Sequence, residues 1–265
     1  METNVANANQ PSGASWVQDL PRLNTSQLEY MDSYYRARLQ SLQAVDELVE
    51  GVVSQLEKYN LLENTYIFYT SDNGYHIGQH RMVPGKGCPY EEDVNIPMIV
   101  RGPHVPRGKK VDFVTSHTDV VPTLFDLAGI ELREDFDGLP MPLTHGGLAH
   151  ARNDPRREHV SVEYWGSNLG EGEVGVDLDA GTPGKSGLKS IASVRVRLTC
   201  SSITVVWGNN TYKAMRIISD RYDLFYSVWC TNEHELYDHK VSPPPPSPTL
   251  TLLTYTSRKN VLILS

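Results

Sequence analysis

Nine apolar residues, Leu28, Met31, Tyr35, Leu39, Leu42, Val45, Val49, Val52 and Leu56, recur at steps of three and four along this chain. Just beyond them stands Thr65-Tyr66-Ile67-Phe68-Tyr69-Thr70, which is apolar on both faces. The first pattern is one face of a helix of about 30 residues. Ser26 and Glu29 are spaced as a capping-box pair at its start, and Leu61-Leu62-Glu63-Asn64 ends it. The second pattern, rich in aromatic and β-branched residues, suits a central strand of a parallel sheet. A long amphipathic helix feeding a strand covered on both faces restricts the chain to layered α/β architectures.

The next segments extend that order. Met98-Ile99-Val100 follows Pro97 as a second short strand and stops at Arg101-Gly102-Pro103. Thr118 to Gly129 reads as a short helix, with Thr118 as its cap, Asp119 as its first-turn acid and Gly129 as its stop. Helix, strand, loop, strand, helix is the order of a doubly wound α/β domain. From about residue 133 to 160 the chain turns polar and turn-rich, a boundary signal. Beyond it, residues 212–218 and 222–228 flank Ser219-Asp220-Arg221 as a β hairpin, and Glu235-Leu236-Tyr237-Asp238 closes a smaller antiparallel unit. The first 24 residues read as loop or tail. The proline run from Pro243 to Pro248 makes neither sheet nor helix.

Composition excludes some functions. The net charge is −8, so a nucleic-acid partner is not expected, because phosphate binding needs a basic face. No apolar run approaches a membrane span of roughly 18 residues, and the first residues show neither the basic nor the apolar region of a signal peptide. Cys88, Cys200 and Cys230 are too few for a disulfide framework and read as structural thiols. Two glycosylation triplets, Asn24-Thr25-Ser26 and Asn209-Asn210-Thr211, hint at a secretory lineage.

Ligands in open α/β sheets bind at the carboxyl ends of strands. There the first strand delivers Asp72 and Asn73, two oxygen donors suited to a hard cation, followed by Gly74, which lets the chain turn away sharply. The sixteen residues from Gly74 to Pro89 contain no acid, yet hold His76, His80, Arg81 and Lys86. Glu91-Glu92-Asp93 follows at once. Asp-Asn-Gly by itself also makes an ordinary turn, and a lysine in a glycine-rich loop is usually just solvated. Taken together, the cation donors and the basic island describe an anion site for a phosphate or sulfate ester.

The stretch Tyr69-Thr70-Ser71-Asp72-Asn73-Gly74-Tyr75-His76-Ile77-Gly78-Gln79-His80, and then Gly85-Lys86-Gly87-Cys88-Pro89-Tyr90-Glu91-Glu92-Asp93-Val94-Asn95-Ile96-Pro97, resembles the type I sulfatases. More narrowly it resembles fungal arylsulfatases and N-acetylglucosamine-6-sulfatases. Ser116 to Leu124 and the region from Asn210 to Asp238 resemble later segments of the same family, so the resemblance covers roughly residues 14–165 and 207–238. It implies the C-terminal part of an alkaline-phosphatase-like sulfatase domain, a mixed or parallel sheet with flanking helices, over residues 25–145. A small antiparallel β subdomain follows over 146–239. Residues 175–206 interrupt the resemblance, and a proline-rich tail over 240–265 ends it.

Carried over by position, the resemblance makes Asp72 and Asn73 ligands of Ca²⁺, part of a set the family completes from further upstream. It makes Lys86 the group that holds a sulfate oxygen and stabilises charge in the transition state. His76 would contact substrate or give a proton near the leaving group, and His80 and Arg81 would sit on the substrate rim. The family's nucleophile is a formylglycine made from the cysteine of C-x-P-x-R. None of the three cysteines here stands in that motif. The expectation is therefore a sulfuric ester hydrolase by lineage, acting on a small-molecule or glycan sulfate ester, whose chain as it stands is a fragment that does not turn over. The alternatives are a non-catalytic sulfatase remnant and a related metal-dependent phosphoesterase. The family also implies a secreted or vacuolar/lysosomal protein, with no nucleic-acid or membrane partner and an oligomeric state the sequence leaves open.

Overall fold

The computed structural model describes residues 14–151, 154–166, 168–170, 206–207, 210–240 and 261–262. A helical turn, α1 (Ser15–Gln18), precedes the long helix α2 (Thr25–Lys58). The strands are β1 (Ile67–Thr70), β2 (Gly85–Lys86), β3 (Met98–Arg101), β4 (His159–Tyr164), β5 (Asn168–Gly170), β6 (Val206–Trp207), β7 (Tyr212–Ile218), β8 (Asp223–Trp229), β9 (His234–Asp238) and β10 (Val261–Leu262). Between them lie α3 (Glu91–Val94), α4 (Val120–Leu127) and α5 (His145–Ala151).

The periodic stripe does form a helix, but its cap lies two residues earlier than Ser26 and Glu29. Asn24 Oδ1 accepts from the Gln27 amide at 2.9 Å, and Gln27 Oε1 accepts from the Asn24 amide at 2.8 Å. An amide pair satisfies the same two helix-end donors as the hydroxyl–carboxylate pair, so both spacings satisfied the motif. Met31 is the one buried residue of α2. Further along the stripe Leu39, Leu42, Val49 and Val52 are exposed. Among the described residues, then, cover for the apolar face is sparse beyond its first turns, with Val45 and Leu56 half-buried.

β1 pairs antiparallel with β3, with Phe68 opposite Val100, and β10 joins the other side of β3 in parallel. This corrects the expectation of a central parallel strand, since β1 is an edge of this three-stranded sheet. Its residues are half-buried, with Thr70 exposed. Apolarity on both faces reports cover by neighbouring layers and carries no information on strand direction. The antiparallel unit forms as the alternation predicts, in the order β4-β7-β8-β9, with the β7–β8 hairpin closed by the Ser219 amide donating to the Tyr222 carbonyl at 2.9 Å.

Two clusters dominate the interior. Met98, Val100, Val111, Phe113, Met141, Leu143, Leu148 and Ala151 pack around β3. Leu148 and Ala151 belong to α5, so the helix that begins at His145 sits with the α/β core, and a division at 145/146 would cut it. The other cluster joins the loop after β1 to the antiparallel sheet through Met82, Cys88, Tyr90, Tyr212, Phe225 and Trp229. Trp16 and Val17 are buried in it, with Trp16 edge-on to Trp229 at 5.7 Å, which corrects the reading of residues 15–18 as tail. A large aromatic side chain orders the chain that carries it when a buried partner is available. Ser116, and not Thr118, caps the 3-10 turn His117–Asp119 that leads into α4, and its amide donates to Asp119 Oδ2 at 3.1 Å. Asp119 also accepts from the Leu139 amide at 2.9 Å, tying two loops together. The interruption expected over 175–206, apart from Val206, and most of the tail beyond 240 lie outside the described residues.

Candidate functional site

β1 ends in a corner closed by its own polar side chains. Ser71 Oγ donates to the Asn73 carbonyl at 2.9 Å, and the Asn73 amide donates to Asp72 Oδ1 at 2.9 Å. Asn73 Nδ2 donates to the Gly74 carbonyl at 2.7 Å. Asp72 is exposed and Asn73 half-buried, at the carboxyl end of the strand. The donor chemistry, a carboxylate and an amide oxygen, suits a hard cation. Calcium takes roughly six to eight oxygens, so this pair would be one part of a ligand set.

The next residues run between two other segments. The Gly74 amide donates to the Asp93 carbonyl at 2.7 Å and the Tyr75 amide to the Glu92 carbonyl at 2.6 Å. His76 exchanges both backbone bonds with Gly85, at 2.9 and 3.1 Å. Gly74 is required here by closeness rather than by a left-handed turn: a Cβ on it would lie 2.0 Å from the Glu92 carbonyl oxygen. The His76–Gly85 bridge brings Lys86 level with Tyr75. Paired residues share a face and successive ones alternate. Accordingly His76 is buried while Lys86 reaches solvent.

Beneath that loop His76 Nδ1 lies 2.8 and 3.0 Å from the two oxygens of Asp93. Asp93 Oδ2 accepts from the Cys88 amide at 2.7 Å. One carboxylate therefore joins the segment before Lys86 to the segment after it. Asn210 Nδ2 donates to the Gly87 carbonyl at 2.7 Å, adding a tie from the antiparallel unit. Burial, with Asp93 and Glu235 nearby, pushes the Cys88 thiol well above its usual range. Burial also raises the Glu92 carboxyl.

His80 and Arg81 are less open than the expectation of a substrate rim implies. His80 is half-buried and stacks on Tyr90 with ring centroids 3.9 Å apart, and burial together with His76 lowers its pKa to about 4. Arg81 is buried and donates to the Leu20 carbonyl at 2.9 Å. Both have left-handed backbones, with φ 52° and 61°. Asp72 and Lys86 are thus exposed, Asn73 and His80 half-buried, and His76 and Arg81 buried.

Sequence reasoning missed the supporting residues. Asp93 counted only as the acid that ends the basic island. Tyr34 and Tyr75 have no assigned role in the sequence pattern, although their hydroxyls lie 2.8 Å apart and their rings stack at 6.1 Å, fixing the loop to α2. Arg38 adds its guanidinium 5.4 Å from the centre of the Tyr75 ring. The signal available was the aromatic spacing Tyr30, Tyr34, but nothing local in the sequence names Tyr75 as its partner.

A family model described as Sulfatase matches residues 3–130, which span β1, the Asp72 corner, the Lys86 loop and β3. The chain belongs to the sulfatase family. Among sulfatase-family relatives, sulfatase ppz1 of Metarhizium majus is 44% identical over 237 residues, covering 89% of this chain and 43% of that protein. An arylsulfatase of Volvox carteri is 32% identical over 257 residues, covering 91% of this chain and 35% of its own length. An N-acetylglucosamine-6-sulfatase of Bos taurus is 34% identical over 206 residues, 77% of this chain and 34% of that protein. The chain thus spans less than half the length of these relatives. Among the described residues, no helix is long and apolar enough to cross a membrane.

Proposed function

We propose that this chain carries the cation-and-anion part of a sulfate-ester site, descended from a sulfuric ester hydrolase of the arylsulfatase or N-acetylglucosamine-6-sulfatase kind, and that it does not turn over by itself. The observations that support the reading are an oxygen-donor corner, Asp72-Asn73, at the carboxyl end of β1 and an exposed Lys86 on the loop that follows, whose underside is buried and hydrogen-bonded. Asp72 and Asn73 would hold Ca²⁺, which when bound supplies positive charge to the ester oxygens. Lys86 would hold a sulfate oxygen and offset the charge that moves onto the leaving oxygen as the S–O bond breaks. His76 lies on the opposite face from Lys86 and is buried, which favours a supporting role over proton donation. The fold would be part of an alkaline-phosphatase-like sulfatase domain with an antiparallel subdomain, in a protein acting on small-molecule or glycan sulfates in a secreted or vacuolar setting.

No cysteine of this chain stands in C-x-P-x-R, so no step through a formylglycine is assigned to it. The test is calorimetric titration of the whole chain with an aryl sulfate in the presence of Ca²⁺, alongside a hydrolysis assay. Expected are weak binding that is lost in Lys86→Ala and in Asp72→Ala, and hydrolysis at background. Turnover that survives purification would overturn the claim of inactivity. Binding unchanged in Lys86→Ala would overturn the site.

A further inference from the structure

We propose that His76, Cys88 and Asp93 form a buried site for zinc or a similar borderline divalent cation, behind the Lys86 loop and separate from the Asp72–Asn73 corner. All three residues are buried, and one ligand atom from each lies within 4.8 Å of the others. They come from three segments: the stretch leaving β1, the turn after β2, and α3. In a tetrahedral zinc site, bonds of about 2.0–2.3 Å put ligand atoms about 3–4 Å apart. These atoms therefore close on an ion with side-chain movements of about an ångström.

The donor set decides the kind of ion. An imidazole nitrogen, a thiolate sulfur and a carboxylate oxygen suit zinc, cobalt and related metals. Calcium and magnesium take oxygen alone, as at Asp72 and Asn73. A thiolate and a carboxylate together carry two negative charges, which a divalent ion neutralises, so the buried site is balanced when filled. On binding, the thiol gives up its proton to solvent and its sulfur bonds the metal, with no change in oxidation state.

A second observation concerns the same imidazole. His76 Nε2 is buried and has no hydrogen-bond partner among the described residues, while Nδ1 faces Asp93. Buried ring nitrogens ordinarily find a partner, so the open nitrogen of this imidazole calls for an explanation. Met82 Sδ and Asn210 Oδ1 each lie 3.6 Å from Cys88 Sγ, within reach of a further contact at the sulfur. Asn210 belongs to the antiparallel unit, so a filled site would fasten that unit to the Lys86 loop.

The test uses the full chain with Cys200→Ser and Cys230→Ser, which leaves Cys88 as the one thiol. The protein is reduced, stripped with a chelator and titrated with Co²⁺ and then Zn²⁺. Expected are a thiolate-to-cobalt charge-transfer absorption that saturates at one ion per chain, and its displacement by Zn²⁺. Adding Cys88→Ser should abolish that absorption, and His76→Gln should weaken Zn²⁺ binding by at least roughly tenfold. No charge-transfer absorption in the parent chain overturns the site, and so does zinc affinity unchanged by both substitutions. Neither readout depends on sulfate binding, so this inference and the proposed function fail separately.

Discussion

Arg216 of β7 places its guanidinium between two carboxylates, with Nε on Glu91 of α3 and Nη1 on Asp223 of β8. Nη1 also donates to the Leu224 carbonyl at 2.9 Å. Arg216 is 1% exposed, so the charge is fully desolvated and its acids are its compensation. Glu91 stands two residues before Asp93, so this ion group fastens the antiparallel sheet to the turn that supports the candidate site.

Arg216→Met should therefore destabilise the chain by up to about 3–5 kcal/mol, because it leaves two half-buried carboxylates without their cation. Glu91→Leu, Arg216→Met and Asp223→Leu combined should cost much less, since no uncompensated charge remains. Urea unfolding of the single and triple variants measures both. A triple variant less stable than Arg216→Met would mean that the ions contribute net stability.

Two glycines should respond to alanine with opposite sign. Gly74→Ala puts a methyl 2.0 Å from the Glu92 carbonyl oxygen, a backbone atom held by its own bond to the Tyr75 amide. Something must shift, at a cost on the order of 1–3 kcal/mol or more. Gly51 lies inside α2 with nothing within 4 Å of a Cβ. Gly51→Ala should stabilise by up to about 1 kcal/mol through helix propensity alone. Thermal or urea midpoints report both, and a stabilising Gly74→Ala would show that the close approach is not real.

Much of this architecture could be read from local pattern. The three-and-four spacing from Leu28 to Leu56 gave α2, and the alternation around Ser219-Asp220-Arg221 gave the β7–β8 hairpin, because periodicity depends only on near neighbours. Asp72 at a strand end was legible for the same reason. What escaped depends on distant partners. The direction of β1 is set by β3, about thirty residues on, and no property of Ile67–Thr70 encodes it. Trp16 looked like tail because Trp229 lies more than two hundred residues away. The pairing of His76 with Asp93, and of Arg216 with Glu91, turns ordinary charged residues into buried ones. Burial follows from tertiary folding, and composition carries no sign of it.

Stability should fall in mild acid through His80. Its folded pKa of about 4 lies below the ordinary 6.5, so the unfolded chain binds the proton more readily. Stability from this residue is complete above pH 6.5 and is lost as pH falls toward 4, by at most roughly 3 kcal/mol. The raised carboxyls of Glu92 and Glu235 act the other way, since their protonation on acidification favours the folded state. His80→Asn isolates the effect, because asparagine tolerates the left-handed backbone and does not titrate. The variant should lose the Tyr90 stack, about 1 kcal/mol, at every pH and show a flatter profile between pH 6.5 and 4. Equal slopes in variant and parent would remove His80 as the cause.

A stricter test of the proposed site reads catalysis, measured on this chain joined to an upstream segment that carries a C-x-P-x-R cysteine. In such a protein Lys86→Ala should lower kcat/KM for an aryl sulfate by roughly 10²–10³-fold, the loss typical of removing one preorganised group that stabilises developing charge. Asp72→Ala should cost at least as much, because it weakens the cation as well as the corner that Asn73 and Ser71 close around it. Arg81→Ala behaves differently. Its side chain is buried on the Leu20 carbonyl and points away from solvent, so the substitution should lower the urea midpoint and leave kcat/KM of the folded enzyme within a few fold. Measuring midpoints and kinetics on all three variants separates the two effects. If Lys86→Ala keeps near-parental kcat/KM while Arg81→Ala loses it, the reacting anion meets the buried side of this loop, and the assignment of its two faces is reversed.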